Sequence, residues 1–200
     1  MTVVGAQSVG ARKWWALAGL SLGVLAVGLD ATVLSVALPT LAVSLHASAT
    51  DLQWFISSYT LALAVALIPG GLLGDRFGRK KVMIWALSVF GLGSLACAYA
   101  PNAGAFIAAR TVLGLAAGCM VPLVLSVLTV MFTDQERTKA VGVWAAANFI
   151  ALPIGPILGG WLLSNYWWGW VFLMNVPVVV IGAPSDVAEN CTVLVVELTM

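Results

Sequence analysis

The stretch GLLGDRFGRKK, residues 71–81, carries five charged side chains in eleven positions, in a chain where only 8% of residues are charged. The sequence on either side is almost uncharged for about 20 residues, the length a helix needs to cross the hydrocarbon of a bilayer. A charged cluster between two such runs is what a turn outside the lipid requires. The same reading, continued over all 200 residues, divides the chain into six candidate spans at 14–38, 52–74, 82–100, 105–132, 140–163 and 167–183. The breaks between them carry turn residues: Pro39-Thr40, PNAG at 101–104 and SNY at 164–166. The predicted fold class is all-α transmembrane, a six-helix bundle.

Composition agrees. Hydrophobic residues make up 62% of the chain, against about 45–50% in soluble domains, and mean hydropathy is +1.04. The net charge of +1, from 9 basic and 8 acidic residues, gives no global field for nucleic acid or an acidic partner. Cys97, Cys119 and Cys191 are scattered without metal-ligand spacing, and His46 stands alone in a polar connection, so no metal site and no cofactor is expected. There is no Walker-type phosphate loop and no Ser/His/Asp arrangement. An enzyme is therefore not predicted, and any transport must draw on an ion gradient. The N-terminus places basic residues before an apolar run, as a signal peptide would, but lacks the small-residue cleavage site, so it reads as a retained first helix.

Loop charge sets orientation, because Lys and Arg stay on the cytoplasmic side. Arg12 and Lys13 precede span one, Arg76, Arg79, Lys80 and Lys81 separate spans two and three, and Arg137 and Lys139 separate spans four and five. With alternating spans all eight fall on one side, which predicts a multi-pass protein of the cell membrane, in contact with the lipid bilayer, with both termini cytoplasmic. The expected organisation is a cytoplasmic N-terminus (1–13), a six-span domain (14–183) and a cytoplasmic tail (184–200). That tail is acidic, with Asp186, Glu189 and Glu197 and a β-branched CTVLVVEL. It fits the pattern poorly and is expected to come from a reading-frame change or an early stop.

Pairs of small residues at helix-packing intervals, Gly19/Gly23, Gly70/Gly74, Gly114/Gly118 and Gly155/Gly159, let helix backbones approach closely in lipid, where hydrophobicity cannot drive association. Two ionisable groups lie inside spans. A carboxylate such as Asp30 costs about 2.5–3.5 kcal/mol at mid-bilayer on insertion scales and should face a partner or a cavity; the alternative is that it marks an early helix end. Arg110 lies at comparable depth, so the two can pair if spans one and four are neighbours; the alternative is snorkelling to the outer interface. Pro153 and Pro156 each remove a backbone donor from span five. Asn148 and Asn175 read as interhelical hydrogen-bonding groups rather than ligand contacts. Trp54 and Tyr59 could line a cavity for an aromatic cation, with an interfacial aromatic belt the competing reading for Trp54.

These residues resemble a known family. Gly71, Asp75, Arg76, Gly78, Arg79 and Lys80 match the G-x-L-x-D-R-x-G-R-K loop between spans two and three of the major facilitator superfamily. LDATVLSVALP at 29–39 resembles the first-helix signature of its fourteen-span drug:proton antiporters. Arg110 with Gly114 and Gly118 resembles the fourth-span pattern, and Gly155, Pro156, Gly159 and Gly160 the fifth-span antiporter motif. WWGWVFLMNVP at 167–177 fits span six, although Gly169 stands where many relatives carry Arg. The resemblance implies the N-terminal half of such a transporter, built of two three-helix repeats, exporting amphipathic or cationic small molecules against protons. It implies that Asp30 is the protonatable site, that Arg110 assists proton movement, that Asp75, Arg76 and Arg79 form a cytoplasmic latch, and that the Gly-Pro helix seals against a second half or another copy. A competing reading is a non-transporting membrane protein that assembles with partners through its glycine-rich helix faces.

Overall fold

The computed structural model describes residues 4–182, which fold into helices joined by short turns: α1 (Val4–Ser44), α2 (Ala49–Phe77), α3 (Arg79–Ala98), α4 (Ala103–Met131), α5 (Asp134–Asn165), α6 (Trp170–Leu173) and α7 (Asn175–Gly182). The tail at 184–200 lies outside the described residues. Five stretches are long and apolar enough to cross a bilayer: Ser21–Ser44, Ala49–Phe77, Arg79–Ala98, Ala103–Thr129 and Gln135–Asn165. The sixth predicted span is α6 followed by α7. Its interruption has a local cause: Pro177 has no N–H to offer the Leu173 carbonyl, so the regular ladder lapses there and resumes with Pro177 in the first turn of α7, where it is tolerated. Met174 between them keeps helical dihedrals, φ −61° and ψ −22°.

Several predicted boundaries need correction. Span one does not turn at Pro39-Thr40; α1 runs through Pro39 to Ser44. The proline costs the helix one bond, that to the Ser35 carbonyl, five residues before the helix end. The helix stops at His46 instead. This residue takes φ +49° while Ala47 N–H donates to the Ala42 carbonyl (3.0 Å) and His46 N–H to that of Val43 (3.4 Å), a Schellman termination. Ser48 and Asp51 then form a capping box that starts α2 at Ala49, three residues before the predicted onset at 52. The cluster at 71–81 is not an extended loop: Asp75 and Arg76 close α2, Arg79 and Lys80 open α3, and Gly78 alone, at φ +92°, makes the turn that an L side chain rarely adopts. Likewise α5 begins at Asp134 rather than 140, because Thr133 in extended geometry opens the helix ahead of the charged segment.

Packing reveals an internal symmetry. α2 lies chiefly against α4 and α5 against α1, while α3 also packs on α4 and α7 on α1. Renumbering α1, α2, α3 as α4, α5, α6/α7 exchanges these pairs, the relation expected of two three-helix repeats.

The glycines make those seams close. A Cβ at Gly114 would strike the Tyr59 carbonyl and Ala62, and one at Gly118 the Leu63 carbonyl and Ala66, so α4 presses directly on the α2 backbone. Gly155 and Gly159 do the same for α5 against Thr32 and Val33 of α1. By contrast, a Cβ at Gly160 would meet nothing within 4 Å. Accordingly, Gly118→Ala should lower the stability of the folded chain in detergent by about 1–3 kcal/mol through overpacking, while Gly160→Ala should leave it unchanged or raise it. Equal thermal-unfolding midpoints for the two variants would contradict the seam.

Candidate functional site

The two intramembrane charges meet. Arg110 Nη1 donates to Asp30 Oδ2 at 2.5 Å, with the Arg110 and Asp30 side chains each only 1% exposed. Neither alternative reading holds: α1 continues 14 residues past Asp30, to Ser44, and the Arg110 head does not reach an interface. Arg110 also donates from Nε to the Phe55 carbonyl at 3.2 Å, and its guanidinium lies 4.3 Å from the centroid of the Tyr59 ring. Asn175 Nδ2 donates to Asp30 Oδ1 at 3.1 Å and lies 3.4 Å from Ser94 Oγ. Tyr59 itself donates to the Val27 carbonyl at 3.4 Å.

Sequence reaches this constellation because each contributing helix presents the right residue at one level. On α1, Val33, Leu34, Ala37 and Leu41 are buried together with Asp30. On α4, Phe106, Leu113 and Ala117 surround Arg110 at helical intervals, all fully buried. Phe106 packs tilted against Phe55 (4.5 Å between centroids) and edge-to-face with Phe172 (5.3 Å). This aromatic wall lies beside a pair only 1% exposed, and the low dielectric there strengthens the Coulombic attraction but raises the cost of leaving either charge alone. Chemically, the site holds one carboxylate balanced by one permanent cation, with a neutral amide on the carboxylate's second oxygen.

Tyr59 and Trp54 do not share a cavity. Tyr59 is buried against Arg110, whereas Trp54 is half-exposed near the start of α2, on a shallow groove of about 330 Å³ lined with Ser58, Ala62, Ile107, Thr111 and Leu115.

At the other end, Asp75 Oδ1 accepts from Arg79 Nη2 (3.1 Å) and Nε (3.4 Å), and Arg79 Nη1 donates to the Ser126 carbonyl near the end of α4 (3.1 Å). Arg137 of α5 donates to the Thr129 carbonyl at 2.8 Å. α4 has no basic residue in its own last turn; the Thr129 carbonyl, among those that helix geometry leaves without an intrahelical donor, takes Arg137, while the Ser126 carbonyl, which also accepts from Thr129 Oγ1 at 2.8 Å, takes Arg79 as a further donor. Arg76 extends over Phe77, 5.5 Å from its ring centroid. Lys80 is half-buried in the first turn of α3, and Gly71 faces Pro122 of α4. In the α5 motif, Gly155 and Gly159 face α1, while Gly160 stands clear; Pro156 is half-buried among exposed neighbours such as Ile154 and Ile157.

Sequence reasoning missed Ser94 and the Phe55 carbonyl. A hydroxyl among small residues in GLGSLACA was the only signal for the first, and a backbone acceptor gives none. Asn175 does make interhelical hydrogen bonds, but its direct hold on Asp30 was not foreseen.

A buried acid–base pair at the centre of two three-helix repeats, with five membrane-length helices among the described residues, defines a multi-pass membrane protein of transporter architecture. The family model described as Major Facilitator Superfamily matches residues 20–188, and the chain belongs to that family. It is 42% identical over 171 residues to the methyl viologen resistance protein SmvA of Salmonella typhimurium, covering 85% of this chain and 34% of that protein. It is 40% identical over 168 residues to the multidrug efflux pump LfrA of Mycolicibacterium smegmatis, covering 84% and 33%. The chain thus spans about a third of the length of these relatives. Among solved structures, the inward-open xylose transporter XylE of E. coli superposes with a TM-score of 0.71 at 18% identity, covering 84% of this chain and 46% of that one. A bacterial homologue of the human lysosomal transporter Spinster gives 0.67 at 19%, covering 92% and 43%. These likenesses show the fold.

The ring beneath the guanidinium gives a direct check. Tyr59→Leu should destabilise the chain by about 1–2 kcal/mol through loss of a desolvated cation–π contact, whereas Tyr59→Phe, which keeps the ring, should cost less than half of that. Equal losses in chemical denaturation would show that the ring face does not matter.

Proposed function

We propose that this chain forms the proton-carrying half of a drug:proton antiporter in the cell membrane, exporting amphipathic or cationic small molecules. The observation that carries the reading is the buried Asp30–Arg110 pair, seated between α1 and α4, the equivalent first helices of the two repeats. The relatives' names, methyl viologen resistance protein and multidrug efflux pump, support the cargo class. In this scheme a proton neutralises Asp30 and leaves Arg110 as an uncompensated buried cation, a state that low dielectric penalises strongly. Relief comes from rearrangement at the α1–α4 level, which alters the hold on a cationic cargo. The site thus responds to protons and to cationic cargo with opposite sign, the condition for antiport.

The membrane domain (14–183) works with a second half or another copy, the cargo cavity lying between them. Exposed apolar faces on α2 (Leu61, Val65, Ile68, Leu72) and α5 (Phe149, Ile157, Trp161) suit such a docking surface. Asp75, Arg76 and Arg79, with the termini, lie on the cytoplasmic side, where Arg79's grip on α4 acts as a latch that opens as the halves rock. Because Gly114, Gly118, Gly155 and Gly159 are occupied by contacts within the chain, the glycine faces are not free for other partners, which favours transport over a purely assembling role.

Efflux of a cationic dye from cells tests this, using the chain joined to the complementary remainder of a relative. Dye extrusion that collapses with the proton gradient and is reduced to background by Asp30→Asn is the expected result. Extrusion that survives Asp30→Asn with its proton dependence intact would refute the assignment.

A further inference from the structure

Asp30 is held at both oxygens, and charge explains only one hold. Oδ2 takes the guanidinium; Oδ1 takes a neutral amide N–H from Asn175, whose nitrogen also lies within hydrogen-bond reach of Ser94 Oγ. All the side chains involved are buried, Asn175 at 1% and Ser94 at 0% exposure. The contacts join three elements, α1, α3 and α7, around a single carboxylate. Because an ionised carboxylate only accepts, the amide must turn its NH2 and not its carbonyl toward Asp30, and a second N–H is then left for Ser94. Asn175 also opens α7 at the point where Pro177 interrupts span six, so its position is set by backbone as well as by side chain.

We propose that Asn175, oriented by Ser94, is a positioning residue for proton loading: its amide N–H and the incoming proton compete for Oδ1 of Asp30. This rests on the reading of Asp30 as the proton site. The step is a simple transfer in which a hydronium ion gives its proton to Oδ1, an O–H bond forms, water is released and the site gains one positive charge. Oδ1 is the receiving oxygen because Oδ2 is engaged by the charge-assisted bond, the stronger of the two. A donor on a carboxylate favours its charged form, so the amide sets how acidic the medium must be before the site loads. The other charged or titratable groups facing Asp30 are Arg110 from α4, Tyr59 from α2 and Cys97 from α3; α5 from 140 to 165, α6 and α7 contain none. Arg110 stays charged throughout, which leaves Asn175 as the adjustable neutral contact.

Infrared difference titration of the purified chain in lipid nanodiscs reads the neutral carboxylic-acid band directly, without requiring transport, and Asp30→Asn identifies which band belongs to Asp30. Asn175→Leu should move the pH of half-development of that band upward by about one unit, the worth of a hydrogen bond to a charged group. Ser94→Ala should move it in the same direction by less, and should add nothing in the Asn175→Leu background, since it acts only through the amide. If Asn175→Leu does not assemble, Ser94→Ala alone carries the test, and an unmoved midpoint there overturns the proposal. An unmoved midpoint in Asn175→Leu, or equal shifts from Ser94→Ala in both backgrounds, overturns the role of Asn175 alone. A titration with no band that disappears in Asp30→Asn overturns the proton site itself.

Discussion

A carboxylate and a guanidinium inside a bilayer cannot be left apart. Each alone costs several kcal/mol in the hydrocarbon, and that penalty requires the helices bearing Asp30 and Arg110 to bring the two into contact. The rest of the bundle is consistent with serving this contact. α2 supplies a carbonyl and an aromatic face to Arg110, and α7 with α3 supplies the amide and hydroxyl beside Asp30. Four of the five long helices, together with the last short one, thereby converge on one pair of charges in a fold that is otherwise almost wholly apolar.

What lets them converge is the absence of side chains elsewhere. Gly114 and Gly118 allow α2 to lie on the α4 backbone at the level where Phe55 and Tyr59 must reach Arg110, and Gly155 with Gly159 seats α5 on α1 just beyond Asp30. The seams are related by the internal repeat, so the same small-residue device is used twice, once behind each charge. Away from the pair a second polar arrangement, Arg79 on the Ser126 carbonyl and Arg137 on that of Thr129, holds the other end of the same helix. Its ion pair with Asp75 is solvent-exposed and contributes little by itself; the bond to α4 is what ties the turn at Gly78 to the bundle.

Much of this was legible in the sequence. Hydrocarbon length and charge placement sufficed for five of the six expected spans, the sixth being broken into α6 and α7, and the similar depth of Asp30 and Arg110 from the turns at one end of their helices was enough to anticipate the pair. Boundaries were less legible, because proline and polar residues were read as stops. Pro39 sits close to the end of α1, where its missing donor costs one bond, and Ser48 with Asp51 caps a helix rather than belonging to a loop. The surroundings of the pair were legible only in part. Asn175 was recognisable as an interhelical donor, but which acceptor it met depended on the packing of three other helices. Tyr59 was noticed for its ring, yet its cation turned out to be Arg110. The Phe55 carbonyl has no sequence signal at all.

Asp30 and Arg110 depend on each other more than the fold depends on either. A double-mutant cycle on the chain in detergent, comparing Asp30→Asn, Arg110→Met and the two combined by thermal unfolding, measures that dependence directly. Each single substitution should cost about 3–5 kcal/mol by stranding the other group, and the double substitution should cost less than either. Additive losses would contradict it, because they would mean that the two charges stand in the membrane independently.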